Sequence, residues 1–373
     1  MESSDEAIRR LLERPVSWLP LRPAPGMIVI SCRIRLARNI AGFPFPLNAA
    51  PVVRGRVRRQ FQNALSWMKQ GGDWEFIDME SLSDFSVALL FERKLISREF
   101  RNRAAGRALA VSPDPHLSVM VNEEDHLRLQ YCRPGGHLKE VWRRISRFSA
   151  ALESELPCAF LPGLGYAASC PTNLGTGLRA SVMMHLPALT IQDRIKQILP
   201  SLGNMGLTVR GLYGEGSEIL GNLYQISNQT TLGETEEAVI DRLEETTALI
   251  AEQETAARNF LMAERPAFLM NVCARAYAIL KHACLMGSPE ALNLLSLLRL
   301  GIDCGLFPSV RIFDVNRMML LVQPAHLVRL AGHDLSPEER GIFRATLLRR
   351  MLGNHAEPPP PAGNSAEPSR PET

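Results

Sequence analysis

Two regimes of hydrophobic pattern divide this chain, and that division limits its fold more than any other feature of the sequence. Up to Ser227, short runs rich in β-branched residues alternate with stretches of helical period. Met27 to Leu36, Leu117 to Tyr131, Leu178 to Leu186, Leu207 to Leu212 and Gly221 to Ser227 read as strands. Val53 to Lys69, Leu138 to Leu156 and Gln192 to Leu199 read as helices. From about Thr235 the pattern changes: Glu236 to Glu264 has no glycine or proline and carries leucine, isoleucine and alanine at helical spacing. Later helices have legible starts. Ser288-Pro289-Glu290 predicts a serine N-cap with proline at the first helical position, and Ser336-Pro337-Glu338-Glu339 adds a capping-box glutamate. The expected class is α+β, an antiparallel sheet flanked by helices and followed by an all-α C-terminal domain. Pro20, Pro23, Pro25 and Gly26 end a short N-terminal helix. The expected divisions are a lead-in at 1–26, a large domain at 27–258, a helical domain at 259–354 and a tail at 355–373. The tail, with Pro358 to Pro361 consecutive and little apolar bulk, is predicted to be disordered.

Several function classes are disfavoured. No run approaches the roughly 18 apolar residues of a membrane span, and Met1 to Glu6 is too polar and acidic to begin a secretory leader. A formal charge of +3 is small for a binder of polyanions, and near Arg33, Arg35 and Arg38 only Phe43 and Phe45 offer stacking surfaces. Nucleic acid is therefore not an expected partner. The seven cysteines are odd in number and lack Cys-x-x-Cys or Cys/His spacing, which predicts neither disulfides nor zinc and fits a reducing, cytoplasmic compartment.

Four segments carry the chemistry. On the first strand the period of two aligns Ser31, Arg33 and Arg35. Two arginines about 7 Å apart on one strand face can fork onto successive phosphates, although a solvated edge strand would use the same residues. In Asn122-Glu123-Glu124-Asp125-His126-Leu127-Arg128 the same period predicts one face for Asn122, Glu124, His126 and Arg128, with an exposed acidic loop as the competing reading. Cys170-Pro171-Thr172-Asn173-Leu174-Gly175-Thr176-Gly177-Leu178-Arg179 is a loop whose glycines allow close backbone approach to a ligand. Arg210 to Glu218 is a second glycine-rich loop, whose Glu215 is placed to swing over a substrate.

In this order the four segments resemble the phosphagen (ATP:guanido) kinase family, and within it the bacterial protein-arginine kinase branch, to which Gly221 to Gln229 and the helical C-terminal module are also similar. The resemblance implies nucleotide-binding positions at Ser31, Cys32, Arg33, Ile34 and Arg35, at Arg128, at Arg179, Ala180, Ser181, Val182 and Met183, and at Arg210, Gly211, Leu212, Tyr213, Gly214 and Glu215. Arg33, Arg35, Arg128, Arg179 and Arg210 would clamp the phosphates of ATP. Glu124 and Glu215 would be the substrate-facing carboxylates. Glu123, expected on the opposite side of its strand, would reach the Mg²⁺ shell through water. Cys170 would lie near the guanidinium and tune activity, with a small hydrophobe at a turn as the plainer role.

These assignments suit the chemistry. A guanidinium is a poor nucleophile with a pKa above about 12, so one nitrogen has to be aligned and relieved of a proton as the new bond forms. Two carboxylates can do both while cations stabilise the transferring phosphoryl group. Two positions depart from the branch. Lys94 stands where the branch has a nucleotide-contacting histidine, and Gly341 replaces an aspartate between Arg340 and Arg344, the candidate phosphoarginine-sensing arginines. An ordinary amphipathic helix start with solvated arginines is the alternative there.

The resemblance further implies a homodimer through the helical module, an activating adaptor and an unfoldase-protease as partners, and marking of proteins for degradation. The first strand arrives at residue 31, leaving room only for a short helix ahead of it, so an open pocket that admits arginine within proteins is expected. A kinase of free arginine or another small guanidine, and a catalytically silent phosphoarginine-binding adaptor, are the alternatives.

Overall fold

Alternating strand sequences generate a sheet with two chemically different faces. The computed structural model describes residues 4–20, 24, 26–68, 74–212 and 218–353, so the expected tail at 355–373 lies outside the described residues. After α1 (Ser4–Glu13) come β1 (Val29–Arg38), α2 (Pro51–Trp67), β2 (Glu75–Asp78), α3 (Asp84–Glu92), β3 (Ala108–Val111), β4 (Leu117–Val121) and β5 (Leu127–Pro134). Then follow α4 (Leu138–Glu155), a small hairpin of β6 (Phe160–Leu161) and β7 (Gly165–Tyr166), β8 (Leu178–His185), α5 (Pro187–Ile191), α6 (Ile195–Asn204), β9 (Leu207–Arg210) and β10 (Leu223–Asn228). Eight strands pair in the order β2-β3-β4-β5-β1-β8-β10-β9, antiparallel throughout. The expected α+β class holds.

On one face, Ile30, Cys32, Ile34 and Leu36 of β1 and Leu178, Ala180, Val182 and Met184 of β8 are buried. Against the sheet lies the apolar stripe of α4, Leu138, Val141, Ile145, Phe148 and Leu152, spaced three or four residues apart as a helix face requires. Each such side chain contributes about 1.5–3 kcal/mol on burial. The other face is covered at one end, where Ile77, Leu109, Val111 and Met120 pack against Ile8 and Leu11 of α1 and Val87 and Leu90 of α3. Its middle carries Ser31, Arg33 and Arg35, with Gln130, Arg179 and Ser181 as their cross-strand partners and Gln225 and Ser227 one strand further.

Several expectations shift here. Leu117 to Tyr131 is two strands broken at 122–126, and the helix expected over Gln192 to Leu199 begins at Ile195 and runs to Asn204. The chain passes residue 258, an expected division, inside the continuous helix α7 (Glu236–Glu264). Beyond it lie α8 (Pro266–His282), α9 (Ser288–Asp303), α10 (Ile312–Leu321), α11 (Pro324–Ala331) and α12 (Pro337–Leu352). Gly287, not Ser288, caps α9, whereas the capping box of Ser336 and Glu339 forms as expected.

A buried polar network seats these helices on the sheet. Arg299 of α9 is fully buried, with Nη1 2.6 Å from His185 Nδ1 and Nη2 donating to the Met27 carbonyl at 2.7 Å. Arg258 of α7 donates to Glu254 at 2.8 Å and to Asp303 at 3.0 Å. Burial, reinforced by the Arg299 and Arg258 guanidiniums, holds the His185 pKa well below its ordinary value, so the neutral ring accepts from Arg299.

Candidate active site

The uncovered middle of the sheet is the floor of a cavity of about 460 Å³. Pleating aims Arg33 and Arg35 of β1 and Arg179 of β8 into it, and the register sets Arg35 directly opposite Arg179. Like charges directly opposed across a ladder are destabilising. Arg128 of β5 and Arg210 of β9 also line the cavity, as do Lys94, Arg98 and Arg107. Against these eight cations stand three carboxylates among the described lining residues, Glu99, Glu123 and Glu124. Burial, then the guanidiniums of Arg33, Arg128 and Arg179, push the Arg35 pKa well below its ordinary value. Such an excess of desolvated positive charge is relieved by a polyanion.

Neutral groups orient the floor. Gln225 Oε1 accepts from Arg33 at 3.2 Å and Ser227 Oγ from Arg179 at 3.2 Å. Ser31 and Met183 line a small neighbouring cavity beside Lys94. The side chains of Cys32, Ile34, Ala180 and Val182, although within the expected nucleotide-binding stretches, point into the apolar core on the opposite face and contribute only backbone to the site. Leu212 lines the cavity and Gly211 forms a bridge beside it, while Tyr213, Gly214 and Glu215 lie outside the described residues.

The acidic segment departs from the expected period of two. Residues 122–126 form the turn between β4 and β5, with Asn122 at φ +59° and its amide donating to the carbonyls of Arg54 (2.9 Å) and Gly106 (2.8 Å). Asp125 accepts from Asn39 Nδ2 and the Ser169 N–H, both at 2.7 Å. His126 is fully buried; its Nδ1 accepts from the Ile40 N–H at 3.0 Å, leaving Nε2 to donate to the Pro44 carbonyl at 3.0 Å. Asn122 and His126 therefore build the turn. Glu123 does not point away: it meets Arg128 Nη1 at 2.6 Å, and Glu124 meets Arg128 Nη2 at 3.4 Å, so one guanidinium holds both carboxylates. Burial raises the Glu124 pKa, opposed by Arg128 and by a hydrogen bond from the Cys170 thiol. Cys170 Sγ also lies 3.0 Å from Thr172 Oγ1.

The loop glycines serve the chain's own packing, and Gly177 also lines the cavity. Gly177, at φ +63°, leaves room for the Ala37 carbonyl, which an added Cβ would meet at 2.6 Å, and Gly175 fits closely against the Thr231 carbonyl. Arg38 is structural as well, stacked 3.4 Å over Tyr166 and paired with Glu153. Lys94 enters the cavity with its ammonium 4.2 Å from the Trp18 ring; burial, with Arg33 adding to it, pushes its pKa down to about 7.

Sequence reasoning missed Ser97, Arg107 and Gln225. Ser97 hydrogen-bonds Glu123, and Arg107 donates to the carbonyls of Asn122 and Glu123, fastening the turn. The alternation of Gln225 and Ser227 was a usable signal, whereas nothing local marks Ser97 or Arg107. Arg340 and Arg344 lie apart, on α12. Arg344 is buried, donating to the carbonyls of Val322 (2.8 Å) and Met286 (2.7 Å), and Arg340 donates to the Leu335 carbonyl at 2.7 Å. Between them, a Cβ added at Gly341 would meet the Leu285 side chain at 2.7 Å.

Residues 56–257 match the family model described as ATP:guanido phosphotransferase, C-terminal catalytic domain, and residues 266–362 match that described as Protein-arginine kinase McsB C-terminal domain. The chain is 42% identical over 348 residues to the protein-arginine kinase of Halothermothrix orenii, covering 93% of this chain and 99% of that protein. It is 41% identical to the protein-arginine kinase of Desulforamulus reducens, with 93% and 99% covered. Among solved structures it resembles a lombricine kinase, with TM-score 0.55 and 25% identity over 68% of this chain and 76% of that one.

Proposed function

The chain belongs to the ATP:guanido phosphotransferase family, in its protein-arginine kinase branch, and from that premise we infer that its cavity transfers the γ-phosphate of ATP to arginine guanidinium groups in proteins. The observation that carries the reading is the junction at Arg128, where a floor of arginines suited to phosphates meets Glu124, a carboxylate suited to a guanidinium, with Glu123 on the same Arg128 side chain. Arg33, Arg35, Arg179 and Arg210 hold the triphosphate. Glu124 grips the acceptor guanidinium, aligns one nitrogen with the γ-phosphorus and takes up its proton as the N–P bond forms and the bond to ADP breaks. Glu215 is its proposed partner.

Among the described residues no group of three or more His, Cys, Asp or Glu side chains could hold a metal unaided. Mg²⁺ is usually held by one or two carboxylates plus substrate phosphates, and Glu123, which lines the cavity beside Arg128, is the carboxylate proposed to meet its shell through water. When bound, the ion would neutralise charge on the phosphates.

We further propose a cytoplasmic homodimer joined through the helical module. Phe268, Ile279, Leu330 and Ile342, all at least 37% exposed there, support that assembly. An activating adaptor and an unfoldase-protease that reads the mark, making it a degradation signal, complete the proposal. Parallel assays with labelled ATP on free arginine and on casein, using acid lability to recognise the N–P bond, test the substrate. Efficient transfer to the free amino acid with none to protein would overturn the reading.

A further inference from the structure

Three consecutive charged residues, Glu92, Arg93 and Lys94, are each no more than 9% exposed where α3 ends, and they leave the chain in three directions. Glu92 reaches the C-terminal helices. Its carboxylate accepts from the N–H groups of Ala325 (2.8 Å) and His326 (3.1 Å) in the first turn of α11, and its Oε2 lies 2.8 Å from His326 Nδ1. It thus satisfies two of the N–H groups left over at a helix start, at the positive end of the dipole. Arg93 reaches the lead-in, donating to the carbonyls of Leu11 (2.9 Å) and Arg14 (2.5 Å) around the end of α1.

Lys94 enters the cavity at φ +59°, a conformation unusual for a non-glycine residue, so surrounding contacts have to hold it. Its carbonyl accepts from Gln130 Nε2 at 2.9 Å. Its ammonium makes no ion pair among the described residues and rests on Trp18, beside Arg33. Three residues on, Ser97 hydrogen-bonds Glu123, so this segment forms one wall of the site. The start of α11 is tied in turn to α12, because Arg344 donates to the Val322 carbonyl just before the N-cap Gln323.

We propose that Glu92 is a positioning residue for the kinase: by gripping the N-terminus of α11 it holds Lys94 with its ammonium in the cavity, so that the seating of the C-terminal helices sets the affinity for the nucleotide's phosphates. The proposal rests on the reading of the cavity as an ATP site. A carboxylate that merely capped α11 would affect stability and leave ATP binding alone.

The test is a double-mutant cycle on the full chain, with ATP dissociation constants measured by calorimetry without acceptor and thermal midpoints recorded in parallel. Glu92→Gln keeps one acceptor oxygen but turns an NH₂ group toward the helix start. It is expected to weaken ATP binding about 3–10-fold, with kcat changed less, and Lys94→Met about 10-fold for the loss of a phosphate-facing cation. The double variant is expected to bind no more weakly than Lys94→Met, because both changes remove one interaction. Additive effects, an affinity unchanged by Lys94→Met, or a lowered thermal midpoint of Glu92→Gln with unchanged ATP binding would each overturn the proposal. If Glu92→Gln does not fold, His326→Ala removes the imidazole contact from the far side and is expected to weaken ATP binding in the same direction; unchanged affinity there also overturns it. Failure of the wild-type chain to bind ATP would instead sink the premise, a result separable from any outcome among the variants.

Discussion

Replacing Lys94 with methionine is expected to stabilise the ATP-free protein while impairing it as an enzyme. The ammonium is buried on an aromatic ring beside Arg33, and its pKa falls from 10.5 to about 7. That difference of about 3.5 units, at about 1.36 kcal/mol each, sets a ceiling near 5 kcal/mol on the cost of burying the charge. Loss of the cation–π contact offsets about 1 kcal/mol of the gain, and a methionine thioether keeps the packing against Trp18. The pH dependence follows from linkage. Between the folded value near 7 and the unfolded value of 10.5, the unfolded chain binds the extra proton, so wild-type stability rises with pH. Below pH 7 the full cost remains. The advantage of Lys94→Met should therefore be largest at pH 6, about 3–5 kcal/mol, and shrink by about 3 kcal/mol by pH 9. Urea unfolding of both proteins at pH 6, 7.5 and 9 measures this directly. A variant less stable than wild type at pH 6, or a gap that does not change with pH, would refute the reasoning.

Glu124→Gln is expected to leave ATP binding intact and lower transfer about 10²–10⁴-fold, because the amide keeps the shape without accepting the proton. In the wild type, transfer should fall with decreasing pH through a value above 4.5, since burial raises the Glu124 pKa and the protonated acid cannot act as base; a rate profile with its acid limb at or below 4.5 would contradict this. Arg344→Ala should destabilise the helical module by about 2–4 kcal/mol by leaving the buried Val322 and Met286 carbonyls unpaired, as chemical denaturation would report. Arg340→Ala should leave stability and basal activity unchanged and alter any activation by free phosphoarginine only modestly; strong activation abolished by it would reveal a working sensor despite Gly341.

Local chemistry alone determined a good deal of this protein. Period-two alternation fixed which side of the first strand carries Ser31, Arg33 and Arg35, because successive side chains on an extended backbone have no other choice. The glycine- and proline-free run from Glu236 to Glu264 became one helix, and the Ser336 capping box formed, since both depend only on neighbours in sequence. The acidic segment escaped such reasoning. A left-handed Asn122, held by carbonyls of Arg54 and Gly106, breaks the alternation and turns Glu123 into the site beside Glu124. The partners of that turn lie far away along the chain, and no local propensity encodes them. Likewise, Arg344, in sequence a candidate sensor or an ordinary helix-start arginine, donates to two distant backbone carbonyls once α12 packs, and Glu92, an acid at the end of a helix, meets its partners only when α11 arrives from more than two hundred residues away. Side-chain direction along a strand is a local property of the backbone. Which charges are left to face one another, and which are satisfied, is decided only when distant segments are desolvated together.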